Sequence, residues 1–192
     1  MLLQRSPATP GRLDRVELNI EHVYTVDRSS FLSRDISVST TNISQPSYCL
    51  KRKMTHKIYY KIEQTYPTHH ASKGITLSAE RRAFRRTVSL KSTDLNLYTE
   101  LRKLSLFSTK YSFVWNGETY IWKRHEYGNL NLACLCPRTG KRLAEFRWKS
   151  PQFPQLKAMG ELSMTGFVSN DPDFQSVLVA AFLITLDTLL EC

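Results

Sequence analysis

The sequence predicts a mainly β domain of the α+β class: an antiparallel, closed β-barrel wrapped around a buried hydrophobic C-terminal helix. Three observations carry that expectation. Ser176 to Leu190 reads SVLVAAFLITLDTLL, and its apolar residues point in every direction around a helical wheel, so no side of it can face water. The chain before it is a series of short alternating segments punctuated by tight turns, the mark of an antiparallel meander. A sheet that closes on itself removes its own edges and supplies the enclosure the helix needs.

In chain order, residues 1–11 carry Pro7, Pro10 and Gly11 with little apolar content, which predicts a disordered arm. Residues 12–192 are then read as a single domain. Inside it, residues 28–47 are rich in Ser and Thr with only scattered Phe31, Leu32, Ile36, Val38 and Ile43. They read either as a flexible linker or as weak edge strands. From Tyr48 onward strand signals become frequent. Ile58, Tyr60 and Ile62 alternate with Lys57, Tyr59, Lys61 and Glu63, a strand with one buried and one wet face. An exposed loop is expected at Pro67 to Gly74, after which Phe84, Val88 and Leu90 share one parity.

The sharpest local expectation is a hairpin from Tyr111 to Trp122. Asn116-Gly117 suits the positive φ angles of a type I′ turn, which sets Trp115 opposite Glu118, Phe113 opposite Tyr120 and Tyr111 opposite Trp122. One face is aromatic, and Val114 and Ile121 make the other face apolar, so the ribbon is expected to be covered on both sides. Leu130 to Cys136 follows as a strand, Pro137 to Gly140 as a turn, and Ala144, Phe146 and Trp148 as the inward residues of the next strand. Pro151 to Gly160 reads as a loop and Leu162 to Val168 as the last strand.

The helix is placed at about residues 172–190. Asp171 is an N-cap candidate, Pro172 suits the first helical position, and Asp171 and Asp173 bring negative charge to the positive end of the helix dipole. A membrane anchor is the competing reading. Asp187 interrupts the stretch, which falls short of the roughly 20 apolar residues a bilayer span requires, so the core-helix reading is favoured. Asp187 itself must reach the exposed helix end or accept hydrogen bonds from neighbouring strands, because an unpaired buried charge is costly.

The 192 residues carry a formal net charge of +10. Between Lys51 and Lys91 stand eleven Lys and Arg against Glu63 and Glu80, so most of the excess is local. Such a field favours nucleic acid, anionic lipid headgroups or acidic proteins, with a merely soluble basic surface as the alternative. Cys49, Cys134, Cys136 and Cys192 are too few and too dispersed for a disulfide scaffold, which suits reduced thiols. The first residues lack the apolar core of a secretory signal. A cytoplasmic protein, peripheral at a membrane or nuclear, is expected.

The order of these parts resembles the tubby C-terminal-like superfamily, which includes the LURP-one-related proteins and phospholipid scramblases. The resemblance is nearest to a small fungal family of unknown function within that fold. It runs through Ser47-Tyr48-Cys49-Leu50, Lys57 to Ile62, the hairpin Phe113 to Trp122, Cys134 to Trp148 and the final helix Phe174 to Leu190, covering the chain from about Tyr48 onward. It implies a barrel around a central C-terminal helix. Some members of that superfamily bind phosphoinositides through basic outer residues. No ligand-binding motif aligns here residue by residue, so no family ligand position carries over.

Two basic clusters, Lys51-Arg52-Lys53 and Lys123-Arg124-His125, together with Lys141, Arg147 and Lys149, are the candidate site for anionic headgroups. Arg offers forked donors and Lys a mobile charge for phosphate. Lys and Arg placed on strand edges to block aggregation are the plainer reading. Arg81, Arg82, Arg85 and Arg86 form the densest basic run and could contact nucleic-acid phosphates, with Tyr59 or Tyr66 stacking on bases. No helix-turn-helix, zinc-finger or RNA-recognition signature accompanies them.

No metal site is expected: Cys134-Leu135-Cys136 lacks the looped spacing of structural zinc sites and reads as buried small hydrophobes, and His69-His70 as solvated loop residues. No catalytic residue and no cofactor are assigned, since no nucleophile motif or phosphate-cradling glycine loop is present. Arg28-Ser29-Ser30 and Arg86-Thr87-Val88-Ser89 place hydroxyls near arginine, where phosphate would lower the positive field. The expected role is therefore a non-enzymatic module binding anionic membrane lipid, with a nucleic-acid or protein adaptor as the rival. A scramblase-like activity would require the final helix to leave the core.

Overall fold

Alternating inward apolar and outward polar residues build most of the described residues into strands. A computed structural model describes residues 20–29, 34–42, 45–66, 74–82, 85–105, 108–124, 130–149 and 157–191. Within them run β1 (Ile20–Arg28), β2 (Ile36–Ser39), β3 (Ser47–Met54), β4 (Lys57–Thr65), β5 (Thr76–Arg82), β6 (Thr87–Ser92), β7 (Leu97–Lys103), β8 (Tyr111–Trp115), β9 (Glu118–Arg124), β10 (Leu132–Leu135), β11 (Arg142–Trp148) and β12 (Ala158–Thr165). Two helices follow, α1 (Gly166–Ser169) and α2 (Pro172–Leu189). Each strand pairs antiparallel with its neighbours in sequence, and β1 pairs with β12, so the sheet is a closed barrel.

Helix α2 fills the barrel, and every residue from Phe174 to Leu189 is buried. Asp171 caps it by accepting a 2.9 Å hydrogen bond from the Phe174 amide, and Pro172 opens its first turn. Aromatic side chains of the wall pack on it at two levels. Phe174 meets Tyr120 at 4.8 Å between ring centroids, and farther along Phe182 meets Phe146 at 5.0 Å and Trp122 at 5.3 Å. Such contacts add to the burial of large apolar rings.

The hairpin has the expected register, with Trp115 opposite Glu118, Phe113 opposite Tyr120 and Tyr111 opposite Trp122. Asn116 and Gly117 both take positive φ, 48° and 76°. Its outer face differs from expectation: Val114 is 48 % exposed, because the barrel wall is one layer thick there and nothing covers it. The segment 28–47 contains β2, which joins β1 to β3 in the ring. Strands β1, β5 and β7 are additional to those the sequence pattern predicts. The last strand also begins earlier than expected, at Ala158, and the chain after Thr165 turns into α1.

Gly160 explains part of that difference. Its φ is 155°, and a Cβ there would lie 2.1 Å from the Arg147 carbonyl oxygen, so glycine lets β12 close onto β11 where the register of β1 also shifts. The expected N-terminal arm, His69-His70, Phe84, His125, Cys192 and residues 151–156 of the expected loop lie outside the described residues.

Phe182→Ala is expected to lower the unfolding free energy by about 3–5 kcal/mol, as large-to-small changes in tightly packed cores do. Val114→Ala on the open wall should change it by less than about 0.5 kcal/mol. Urea unfolding of the two variants measures both; equal losses would mean that the helix is not the organising core.

Candidate functional site

Strand parity decides which basic residues face in and which face out. On β3, Arg52 continues the inward series Tyr48 and Leu50, whereas Lys51 and Lys53 point outward. The Arg52 side chain is only 5 % exposed, and it meets Asp187 of α2, itself 3 % exposed, at 3.4 Å. Tyr60 donates a 3.0 Å hydrogen bond to the other Asp187 oxygen. The intrahelical aspartate is thus held by neighbouring strands. Burial raises its pKa above the ordinary carboxylate value, and the Arg52 charge works against that rise.

One turn farther, Glu191 receives Arg52 and Arg81, and Arg34 reaches it at 3.2 Å. Arg81 also donates to the Thr188 hydroxyl at 3.3 Å. The last turn of α2 has no basic residue of its own, so the wall supplies cations to the negative end of the helix. Arg52 and Arg81, both among the candidate anion-binding residues, are therefore engaged by the protein's own carboxylates.

The eight candidate headgroup residues do not make one patch. In the ring order, β3 and β9 stand six strands apart among twelve, so Lys51 and Lys53 lie across the barrel from Lys123. Lys141 is in the β10–β11 turn at the opposite end from the close of α2. Arg124 shares the inward parity of Tyr120 and Trp122. Arg147 shares Glu145 with Arg142, each at 3.1 Å, and Lys149 meets Glu161 at 2.5 Å.

What the fold does join is two of that set, Lys51 and Lys53, with the outward members of the arginine run. On the outer wall of β4–β7 a cleft of about 660 Å³ is lined by Lys57, Tyr59, Arg82, Arg85 and Lys91, with Glu80, Glu100, Ser78 and Ser89 between them. Lys57 meets Glu80 at 2.7 Å and Arg82 approaches the same carboxylate at 3.7 Å. Beside it, Lys51 and Lys61 share Glu63 at 2.8 and 2.6 Å. The hydrogen bond from Lys51, then that from Lys61, holds the Glu63 pKa down at about 2. Glu63 and Glu80 each serve two cations, which leaves an excess of positive charge on this wall. Lys57, Lys61 and Lys91 were missed as site residues; their outward parity beside Tyr60, Ile62 and Leu90 is the signal that finds them.

Cys134 and Cys136 are buried, and burial pushes the Cys134 thiol far up. Among the described residues no group of three or more His, Cys, Asp or Glu is placed to hold a metal ion. No family model matches the chain, and no curated protein or solved structure matches it.

Arg52→Met is expected to lower the unfolding free energy by about 3–5 kcal/mol, because it strands Asp187 in the barrel without its cation. The double variant Arg52→Met/Asp187→Leu should recover most of that loss, and urea unfolding of the three proteins decides it. The pH dependence has a definite sign. Asp187 favours folding fully below its unfolded pKa near 3.8, and that contribution is lost as pH rises through the raised folded value. Asp187→Asn should remove this slope.

Proposed function

We propose that this chain is a tubby-like, non-enzymatic barrel that binds anionic phospholipid headgroups, phosphoinositides among them, at the periphery of a membrane. The observation that carries the reading is the outer wall of β4–β7. There Lys57, Arg82, Arg85 and Lys91 converge on one cleft beside Lys51, Lys53 and Lys61, with two cations for each of Glu63 and Glu80. Forked Arg donors and mobile Lys ammonium groups suit a phosphorylated headgroup, and the hydroxyls of Ser78 and Ser89 suit its remaining oxygens. The tubby-like assignment rests on the strand order, the closure of the sheet and the central C-terminal helix.

A nucleic-acid reading draws on the same wall. Tyr59 is exposed beside Arg82 and Arg85, and Tyr98 is exposed beside Lys91, which lies 5.5 Å from the centre of its ring, so flat groups for stacking stand among the cations. The lipid reading is preferred because Lys57, Arg82, Arg85 and Lys91 converge with the Ser78 and Ser89 hydroxyls on one concavity, the donor set a phosphorylated headgroup requires.

Sedimentation with vesicles of phosphatidylcholine, with phosphatidylserine or a phosphoinositide added, at low and moderate salt, tests the proposal. Headgroup-selective binding that survives moderate salt and falls at least tenfold in Lys57→Glu/Lys91→Glu supports it. Binding that tracks only total charge and vanishes with salt, alongside tight binding of single-stranded RNA, would replace it with the adaptor reading.

A further inference from the structure

Antiparallel pairing sorts the connections between strands onto two ends of the barrel, and the two ends differ in charge. At the end where α2 finishes lie the β1–β2, β3–β4, β5–β6, β7–β8, β9–β10 and β11–β12 connections. In sequence these connections with their flanking residues (28–36, 52–57, 81–87, 102–111, 123–132 and 147–158) hold seventeen Lys and Arg. Against them stand Asp35, Glu126, and the helix-end Asp187 and Glu191, so positive charges outnumber negative by thirteen. That exceeds the +10 of the whole chain, so the rest of the molecule is net negative. The other end, counted over 39–47, 65–76, 92–97, 115–118, 135–142 and 165–173, holds four Lys and Arg and four Asp and Glu.

The basic end also carries exposed apolar side chains at two of its connections. Met54, at the β3–β4 turn, is 72 % exposed, and Leu104, just after β7, is 47 % exposed. The inner arginines of this end are neutralised by Asp187 and Glu191, but Lys53, Arg85, Arg86 and Lys110 stand exposed around its rim. A flat anionic surface attracts such a rim over about one Debye length, and apolar tips between cations fit the boundary between headgroups and acyl chains.

We infer that the protein docks end-on. The barrel axis stands up from an anionic bilayer, the helix-end rim faces the headgroups, and Met54 and Leu104 enter the interface. This rests on the lipid reading and adds an orientation to it: the cleft of β4–β7 opens beside the rim, with Lys57, Arg82 and Arg85 at its membrane-proximal edge. The uncharged balance of the opposite end leaves it facing solvent.

The test is sedimentation of the full chain with vesicles of phosphatidylcholine and phosphatidylserine, using paired variants of equal charge change. Lys53→Glu/Lys110→Glu at the rim should weaken binding at least tenfold, whereas Arg138→Glu/Lys141→Glu at the far end should leave it within twofold. Met54→Asp/Leu104→Asp should also weaken binding by about tenfold, and Ile20→Asp/Phe167→Asp, exposed at the other end, should weaken it far less. Circular dichroism confirms that each variant folds, all these positions being surface ones. Equal losses from the two ends, or loss confined to the far end, would overturn end-on docking while leaving lipid binding in place. Wild-type protein that ignores anionic vesicles would instead overturn the lipid reading itself.

Discussion

An α-helix without a polar side cannot rest on a surface, because whichever way it lies some apolar side chains remain in water. From Phe174 to Leu189 this chain has such a helix, and the rest of the architecture answers that constraint. A flat sheet would cover one side of it. A closed ring of twelve strands covers all sides and leaves no unpaired strand edge, so the demand of the helix and the demand of the sheet are met by one arrangement. The large rings of Trp122, Phe146 and Tyr120 then fill the space between helix and wall.

The same enclosure creates an electrostatic problem at each end. The N-terminal end is resolved locally, since Asp171 caps the first turn and Asp173 follows it. The C-terminal end has Asp187, Thr188 and Glu191 but no cation, and the wall provides Arg52, Arg81 and Arg34 from separate strands and connections. Apolar packing holds the middle of the helix without fixing its height in the barrel. Directional contacts at both ends give it a definite depth and rotation, a use of buried charge in which specificity is the gain more than net stability.

How much of this was legible in the sequence depends on whether the cause was local. The hairpin register follows from Asn116-Gly117 alone, and the start of α2 from Asp171-Pro172, because turn and cap chemistry act within a few residues. Strand β5 reads Thr-Leu-Ser-Ala-Glu-Arg-Arg, with Leu77 and Ala79 as its only buried side chains, and the run of arginines masks that alternation. In β1, Tyr24 and Val26 alone are buried; its place is set by pairing with β12, at the other end of the chain. The site divides in the same way. Compactness in sequence suggested that Lys51, Arg52 and Lys53 act together, yet strand alternation sends Arg52 inward to Asp187 and its two neighbours outward. The grouping of Lys57, Arg82 and Lys91 depends on register across β4, β5 and β6, which no single segment encodes.

The order of elements has a consequence for how the molecule is made. The twelve strands precede α2 in the chain, and the wall is closed by a pairing between its first and last strands. During synthesis the inward rings of the wall emerge before the helix that will cover them, and early strands have no closing partner until β12 arrives. Contacts of such long sequence separation form slowly. Until α2 emerges the inward rings of the wall have no helix to cover them, so an incomplete chain exposes apolar surface of the kind chaperones shield. Exposed lysines along the outer wall, among them Lys51, Lys61 and Lys91, add like-charge repulsion between such chains.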